Sequence, residues 1–159
     1  MSDITVHIVP KWISALSALT ILHIRLLVLG EEGLHALGSI PSLSDLVIYL
    51  DRAEDLVTSN AYPFLSLRKF EVWSITRLVF AQGVMPKLQT LVLGFKKMES
   101  TGKFGDLAVG FENLSSLVDV DVSLSCMGAA WLEELKAAKA TIQNAVNMNK
   151  NKLSLKIRP

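Results

Sequence analysis

The sequence contains one cysteine, Cys126, and only three histidines among its 159 residues. A single cysteine excludes an internal disulfide framework and is typical of a protein in a reducing compartment. Cys126 follows the apolar segment VSLS without a nearby histidine, which favours a half-buried structural thiol over a nucleophile. The histidines, at positions 7, 23 and 35, have no cysteine or carboxylate at metal-ligand spacing, so no zinc or iron site is predicted.

Neither sign of charge dominates, since 16 basic residues face 15 acidic ones and the formal net charge is +1. This balance gives no general attraction to nucleic acid or to an anionic membrane. The segment GKFGDLAVG (102–110) lacks dinucleotide-binding spacing, and Lys103 and Phe104 are interpreted as part of a solvated loop. No acid–base or nucleophile constellation is visible, so the sequence predicts neither an enzyme nor a cofactor.

A long apolar run is also missing. The most apolar stretch, LSALTILHIRLLVLG (16–30), is interrupted by His23 and Arg25 and is too short to span a bilayer. No secretory signal is recognisable. Because half of the residues are apolar and 19% are charged, the chain is expected to fold around a sizeable core. The single cysteine and the missing signal predict a cytoplasmic protein.

What the sequence does contain is one phrase repeated five times. The copies are LSALTILHI (16–24), IPSLSDLVI (40–48), FLSLRKFEV (64–72), MPKLQTLVL (85–93) and LSSLVDVDV (114–122). Each has apolar residues at its positions 1, 4, 7 and 9. The residues at position 7, which are Leu22, Leu46, Phe70, Leu91 and Val120, follow one another at steps of 24, 24, 21 and 29 residues. An L-x-x-L-x-L core at such spacings is the signature of leucine-rich repeats.

The repetition predicts an α/β solenoid. One unit cannot bury its apolar face alone, so successive units stack and share a core, with their short strands in parallel. We expect strands near 22–24, 46–48, 70–72, 91–93 and 120–122, in that spatial order, and a sixth near 153–157. The asparagine that usually follows the strand in such repeats is absent, because its place is taken by Leu27, Asp51, Ile75, Lys96 and Ser125. An asparagine ladder is therefore not predicted.

The chain divides into three parts within a single domain, 1–159. Residues 1–15 form a partial repeat, 16–126 about five repeats, and 127–159 a cap with a helix near 129–147 that buries Leu135 and Ile142. The returns are expected to hold a short helix or turn at 53–64, a brief apolar segment at 73–86 and an exposed loop at 94–113. Trp12 and Trp131 are interpreted as core residues.

No polar cap precedes the first repeat. An exposed apolar edge is therefore expected at the amino end, as in a fragment of a longer protein, and such an edge favours self-association.

Strand residues that alternate with the buried positions should point onto the concave face of the sheet. One expected column is His23, Val47, Glu71, Val92 and Asp121, and the next is Arg25, Tyr49, Trp73, Gly94 and Ser123. Arg, Tyr and Trp are enriched where proteins bind one another. The candidate protein-binding residues are His23, Arg25, Tyr49, Glu71, Trp73 and Asp121. The alternative is that these side chains only brace the sheet.

The segments VPKWISALSALTILHIRL, MPKLQTLVLGF and FENLSSLVDVDVSLSC, with an Ala-containing helix before KLSLKI, carry a family resemblance. The chain resembles the carboxy-terminal leucine-rich-repeat region of plant, cereal-type coiled-coil nucleotide-binding disease-resistance proteins. It has no GxxxxGK[ST] phosphate loop, so nucleotide binding is not carried over.

The resemblance implies recognition of a pathogen effector or host target, or contact with the nucleotide-binding part of a parent receptor. The alternative is a free-standing repeat scaffold that assembles protein partners.

Overall fold

The computed structural model describes residues 3–97, 108–126 and 131–158. These residues form eight strands: β1 (Asp3–Val6), β2 (Ile21–Leu26), β3 (Asp45–Val57), β4 (Lys69–Val79), β5 (Thr90–Lys97), β6 (Ala108–Val109), β7 (Asp119–Cys126) and β8 (Ser154–Arg158). Two α-helices, α1 (Gly30–Gly38) and α2 (Trp131–Asn147), and short 3-10 helices at Lys11–Ala15 and Phe111–Asn113 complete them. The loop residues 102–107 and the side chains of Cys126 and Trp131 lie outside what is described.

All strand pairs are parallel, and the spatial order is β1-β2-β3-β4-β5-β7-β8, with β6 paired to β4. The register joins the position-7 residues of the phrases across the sheet, from Leu22 through Leu46, Phe70, Leu91 and Val120 to Leu155. The predicted α/β repeat architecture, with five phrase strands and a sixth near 153–157, is therefore confirmed.

The core forms because the phrase positions point inward in every coil. At positions 7 and 9, the side chains of the five phrases are almost fully buried, as they are at positions 1 and 4 from the second phrase onward. From the second phrase onward, each coil thus supplies four apolar side chains to one continuous cluster, which a single coil could not close.

The segments that connect the phrases differ from the expectation, because strands β3 and β4 continue beyond the phrase residues into these segments. Beyond a register irregularity after Tyr49, residues 54–57 of β3 pair with the second half of β4, and that half pairs with β6. We call these three segments (54–57, 75–79 and 108–109) the return strip. Of the short helix or turn expected at 53–64, the helix was wrong, because β3 runs on to Val57 and buries Leu56; a turn follows at 60–61. Within β4, Ser74 has a left-handed φ of 72°, which interrupts the alternation of the strand. Ile75 is therefore buried although Trp73, two residues earlier, lies on the outward face.

Serines at position 3 of three phrases form hydrogen bonds to the preceding coil. The hydroxyls of Ser42, Ser66 and Ser116 each donate to a carbonyl of the preceding coil, at Ser17, Pro41 and Pro86 over 2.6–2.7 Å. In the last coil Asn151 takes this position, and its amide donates to the carbonyls of Ser115 and Leu117. These side-chain hydrogen bonds therefore connect neighbouring coils at phrase position 3, before each strand begins.

The carboxy end is closed as predicted. Helix α2 packs against β6, β7 and the Phe111–Asn113 turn, and it buries Leu135 and Ile142. The polar Asn149 occupies phrase position 1 of the last coil and is also buried. Its amide donates to the carbonyls of Phe111 (2.7 Å) and Leu114 (2.9 Å), and its carbonyl accepts from the Asn151 N–H.

The amino end exposes apolar side chains. Among the described residues, strand β1 pairs only with β2. The side chains of Ile8 (57%), Trp12 (59%) and Leu16 (40%) are exposed. The interpretation of Trp12 as a core residue was wrong, because the 3-10 turn at Lys11–Ala15 directs Ile13 inward in its place. Helix α1, which was not predicted, supplies Leu34 and Leu37 to the core of this coil.

Candidate functional site

The outward sheet face, which is the side of the sheet opposite the core, carries two columns of side chains. The register aligns the first column as His23, Val47, Glu71, Val92, Asp121 and Lys156. It aligns the second as Arg25, Tyr49, Trp73, Gly94, Ser123 and Arg158. The six candidate residues therefore share one surface, on strands about 4.8 Å apart. Lys156 and Arg158 of β8 extend both columns by one residue.

Trp73 is held in place on two sides. Its indole N–H donates to Glu71 Oε1 over 2.7 Å, and its ring lies over the backbone of Gly94 on the adjacent strand β5. A side chain at position 94 would overlap the ring, so the missing Cβ is what allows the indole to lie flat. Trp73 is half-buried, and it leans toward β5 rather than toward Tyr49 on β3.

Charged side chains at both ends of the face are paired across strands. Arg25 Nε donates to Asp51 Oδ1 over 2.9 Å, and Arg158 donates to Asp121 Oδ2 over 2.8 Å. Both arginines are largely exposed, so each pair contributes little to stability. His23 also has an interaction partner within the structure. The pairs fix side-chain positions at the margins of the surface.

Tyr49 lies between these fixed groups and is the most open of the aromatic residues on this face, with 43% of its surface exposed. Its register neighbours are Arg25 on β2 and Trp73 on β4. Val47, two residues earlier on the same face, is covered by its surroundings. The resulting surface is an exposed phenol with a cation on one side and an anchored indole on the other.

Sequence reasoning missed the part that four residues play on this surface. Asp51 was noted only as the residue that replaces an asparagine, but it is the partner of Arg25. Lys156 and Arg158 were not assigned to the columns, although the alternation in LSLKIR places them at phrase positions 8 and 10. Gly94 was placed in the second column without a role of its own, and in the structure the indole of Trp73 lies against its backbone.

Within 3–97, 108–126 and 131–158, no group of three or more His, Cys, Asp or Glu side chains is arranged to hold a metal ion. Over the same residues, no helix combines the length and the apolar character needed to cross a membrane.

Comparison with known proteins gives two findings. Residues 1–155 match the sequence profile of a family described as "Leucine-rich repeat region". A rice protein (Oryza sativa subsp. japonica) named Disease resistance protein RGA5 is 29% identical over 141 residues, which cover 87% of this chain. The chain spans 12% of that relative's length. No solved structure matches this chain.

Proposed function

The chain belongs to the leucine-rich repeat family, and from this premise we propose that it is a non-enzymatic recognition and autoregulatory module of an intracellular plant immune receptor. It acts in the cytoplasm by binding a pathogen effector or a host target on the outward sheet face. In the resting receptor it contacts the nucleotide-binding part of the same protein. The similarity to a rice disease resistance protein supports the immune context of this proposal.

One observation carries the choice of surface: Tyr49 is exposed between side chains that are already fixed. Arg25 is held by Asp51, and Trp73 is held by Glu71 and Gly94. A partner that binds here therefore orders few additional side chains, and the entropic cost of association is reduced. Tyrosine, tryptophan and arginine also supply most of the large energetic contributions in protein interfaces.

Tyr49 and Tyr62 offer a matched pair of substitutions, because both are 43% exposed. Tyr62 lies outside the sheet and stacks on His35 with ring centroids 4.2 Å apart. The experiment expresses the full-length protein in leaf cells, unsubstituted or carrying Tyr49→Ala or Tyr62→Ala, and measures effector-dependent cell death and partner co-precipitation. We expect Tyr49→Ala to weaken partner binding about tenfold or more, as for an interface hot spot, while Tyr62→Ala retains both readouts.

The outcomes separate the two candidate functions. Loss of partner binding without any change in defence signalling would favour a free-standing scaffold. Equal binding and signalling by both variants would contradict recognition at this surface.

A further inference from the structure

The return strip has one covered edge and one open edge. At the β6 edge, helix α2 packs against the strand. At the opposite edge lie residues 54–57 of β3, whose only partner in the strip is β4. The preceding coil supplies helix α1 at this level instead of a strand. A cavity of about 300 Å³ separates α1 from this edge.

The direction of the backbone N–H and C=O groups at this edge can be deduced from the hydrogen bonds between β3 and β4. The Thr58 N–H donates to the Val79 carbonyl over 3.0 Å, toward β4. Because N–H and C=O directions alternate along a strand, the backbone groups of Asp55 and Val57 point away from β4, toward the cavity. In the described part of the chain no second strand pairs with these residues, so the groups form the free half of a parallel-sheet ladder, which is the feature that peptide-binding sheet edges use.

The side chains around the cavity define the chemistry of an occupant. Leu34 of α1 and Leu56 of β3 line its apolar part, and both are buried. The rim carries the carboxylates of Glu31 and Asp55 and the 55%-exposed side chain of Val57. Glu31 is 79% exposed, and Asp55 accepts a hydrogen bond from the Thr76 hydroxyl.

Glu54, the residue before the open segment, connects β3 to helix α1. Its two carboxylate oxygens accept from the N–H groups of Leu29 (3.1 Å) and Gly30 (2.8 Å) at the start of α1. This bridge holds the helix at a fixed distance from the strand. The cavity is therefore a built gap between two tied elements, with a volume at the lower end of the range for ligand cavities.

We propose that the open edge of β3 at Asp55–Val57 binds an extended peptide segment of a partner protein, which adds a strand to the return strip. Hydrogen bonds to the backbone of Asp55 and Val57 hold the segment. One apolar side chain of the peptide enters the cavity between Leu34 and Leu56, and flanking lysine or arginine side chains face Glu31 and Asp55. This site is separate from the outward sheet face, so the two proposals stand or fall independently.

The test uses the 159-residue chain and a fluorescent, terminally blocked heptapeptide in which lysine and valine alternate, compared with one in which glutamate replaces each lysine. Binding is measured by anisotropy, and the protected amides are identified by hydrogen exchange. We expect the lysine peptide to bind, to protect the Val57 amide and to lose affinity with added salt. The glutamate peptide should bind at least about tenfold more weakly, because like charges meet at the rim.

Two sets of variants make the site assignment specific. Val57→Pro removes an N–H that β4 does not use, so the fold should be retained while the affinity for the lysine peptide falls about tenfold. Val57→Thr keeps the N–H, and its affinity for the peptide should stay within about twofold of the unsubstituted chain's. Independently, Glu31→Gln combined with Asp55→Asn should abolish the preference for lysine over glutamate.

The proposal is overturned if the unsubstituted chain does not bind the lysine peptide. It is also overturned if protection appears at β1 or β8 instead, or if the double amide variant keeps the charge preference.

Discussion

Gly94 lies directly beneath the indole ring of Trp73, so that a Cβ atom at position 94 would come within 3.0 Å of ring atoms Cδ2 and Cζ3. The two residues lie on adjacent strands and are register partners. This relationship shows that the second column is not a uniform stack of side chains. The missing side chain at Gly94 on β5 leaves room for the Trp73 ring from β4, and the indole N–H donates to Glu71 on the same strand as Trp73.

Gly94→Ala should displace the indole and reduce the free energy of unfolding by about 1–3 kcal/mol, as overpacking does elsewhere. In a Trp73→Ala background the same change should be neutral or stabilising, because alanine loses less backbone entropy than glycine in a strand. Urea unfolding of the wild type, both single variants and the double variant measures this coupling. Additive effects of the two substitutions would contradict the proposed contact.

The repeated phrase was sufficient to predict the sheet and its two outward columns. Apolar residues at positions 1, 4, 7 and 9 fix which side chains face the core, and stacking in register then aligns Arg25 with Tyr49 and Trp73. Those steps depend only on periodicity and on the need of each coil for a neighbour.

The returns and the side-chain pairs could not be predicted in this way. Leu56 and Leu78 lie in short apolar segments that periodicity cannot assign to strand or helix. The pairing of Arg25 with Asp51 and the contact of Trp73 with Gly94 depend on where neighbouring coils place their corners. Trp12 was misassigned because an apolar neighbourhood in sequence does not fix which residue of a 3-10 turn points inward.

Asn149→Ala should lower the free energy of unfolding by about 1–3 kcal/mol. The substitution removes the two buried hydrogen bonds to the carbonyls of Phe111 and Leu114. Asn147→Ala is the matched control, because that side chain is exposed and bonds only to Gln143 on the helix surface. Its cost should stay within about 0.5 kcal/mol. Thermal and urea unfolding measure both, and equal costs would show that Asn149 does not hold the last coil.

Leu135→Asp should destabilise the domain by roughly 3–5 kcal/mol, because it places an unpaired carboxylate where α2 packs on the last coil. Lys136→Asp introduces the same charge one residue later, at an exposed position of the helix. Its effect should remain within about 0.5 kcal/mol. An unchanged melting temperature for Leu135→Asp would contradict the assignment of α2 as the cap.

The exposed apolar residues at the amino end predict concentration-dependent self-association. Ile8, Trp12 and Leu16 are open to solvent in the segment between β1 and β2, and the outer edge of β1 has no partner among the described residues. Burial of such side chains against a second copy is favourable, and a free strand edge adds backbone hydrogen bonds. Trp12→Glu should therefore shift the chain toward monomer and weaken association about tenfold or more. Leu65→Glu, at a site 57% exposed on another coil, is the control and should leave association unchanged. Sedimentation velocity and light scattering over a wide concentration range test this, and a wild-type chain that stays monomeric throughout would refute it.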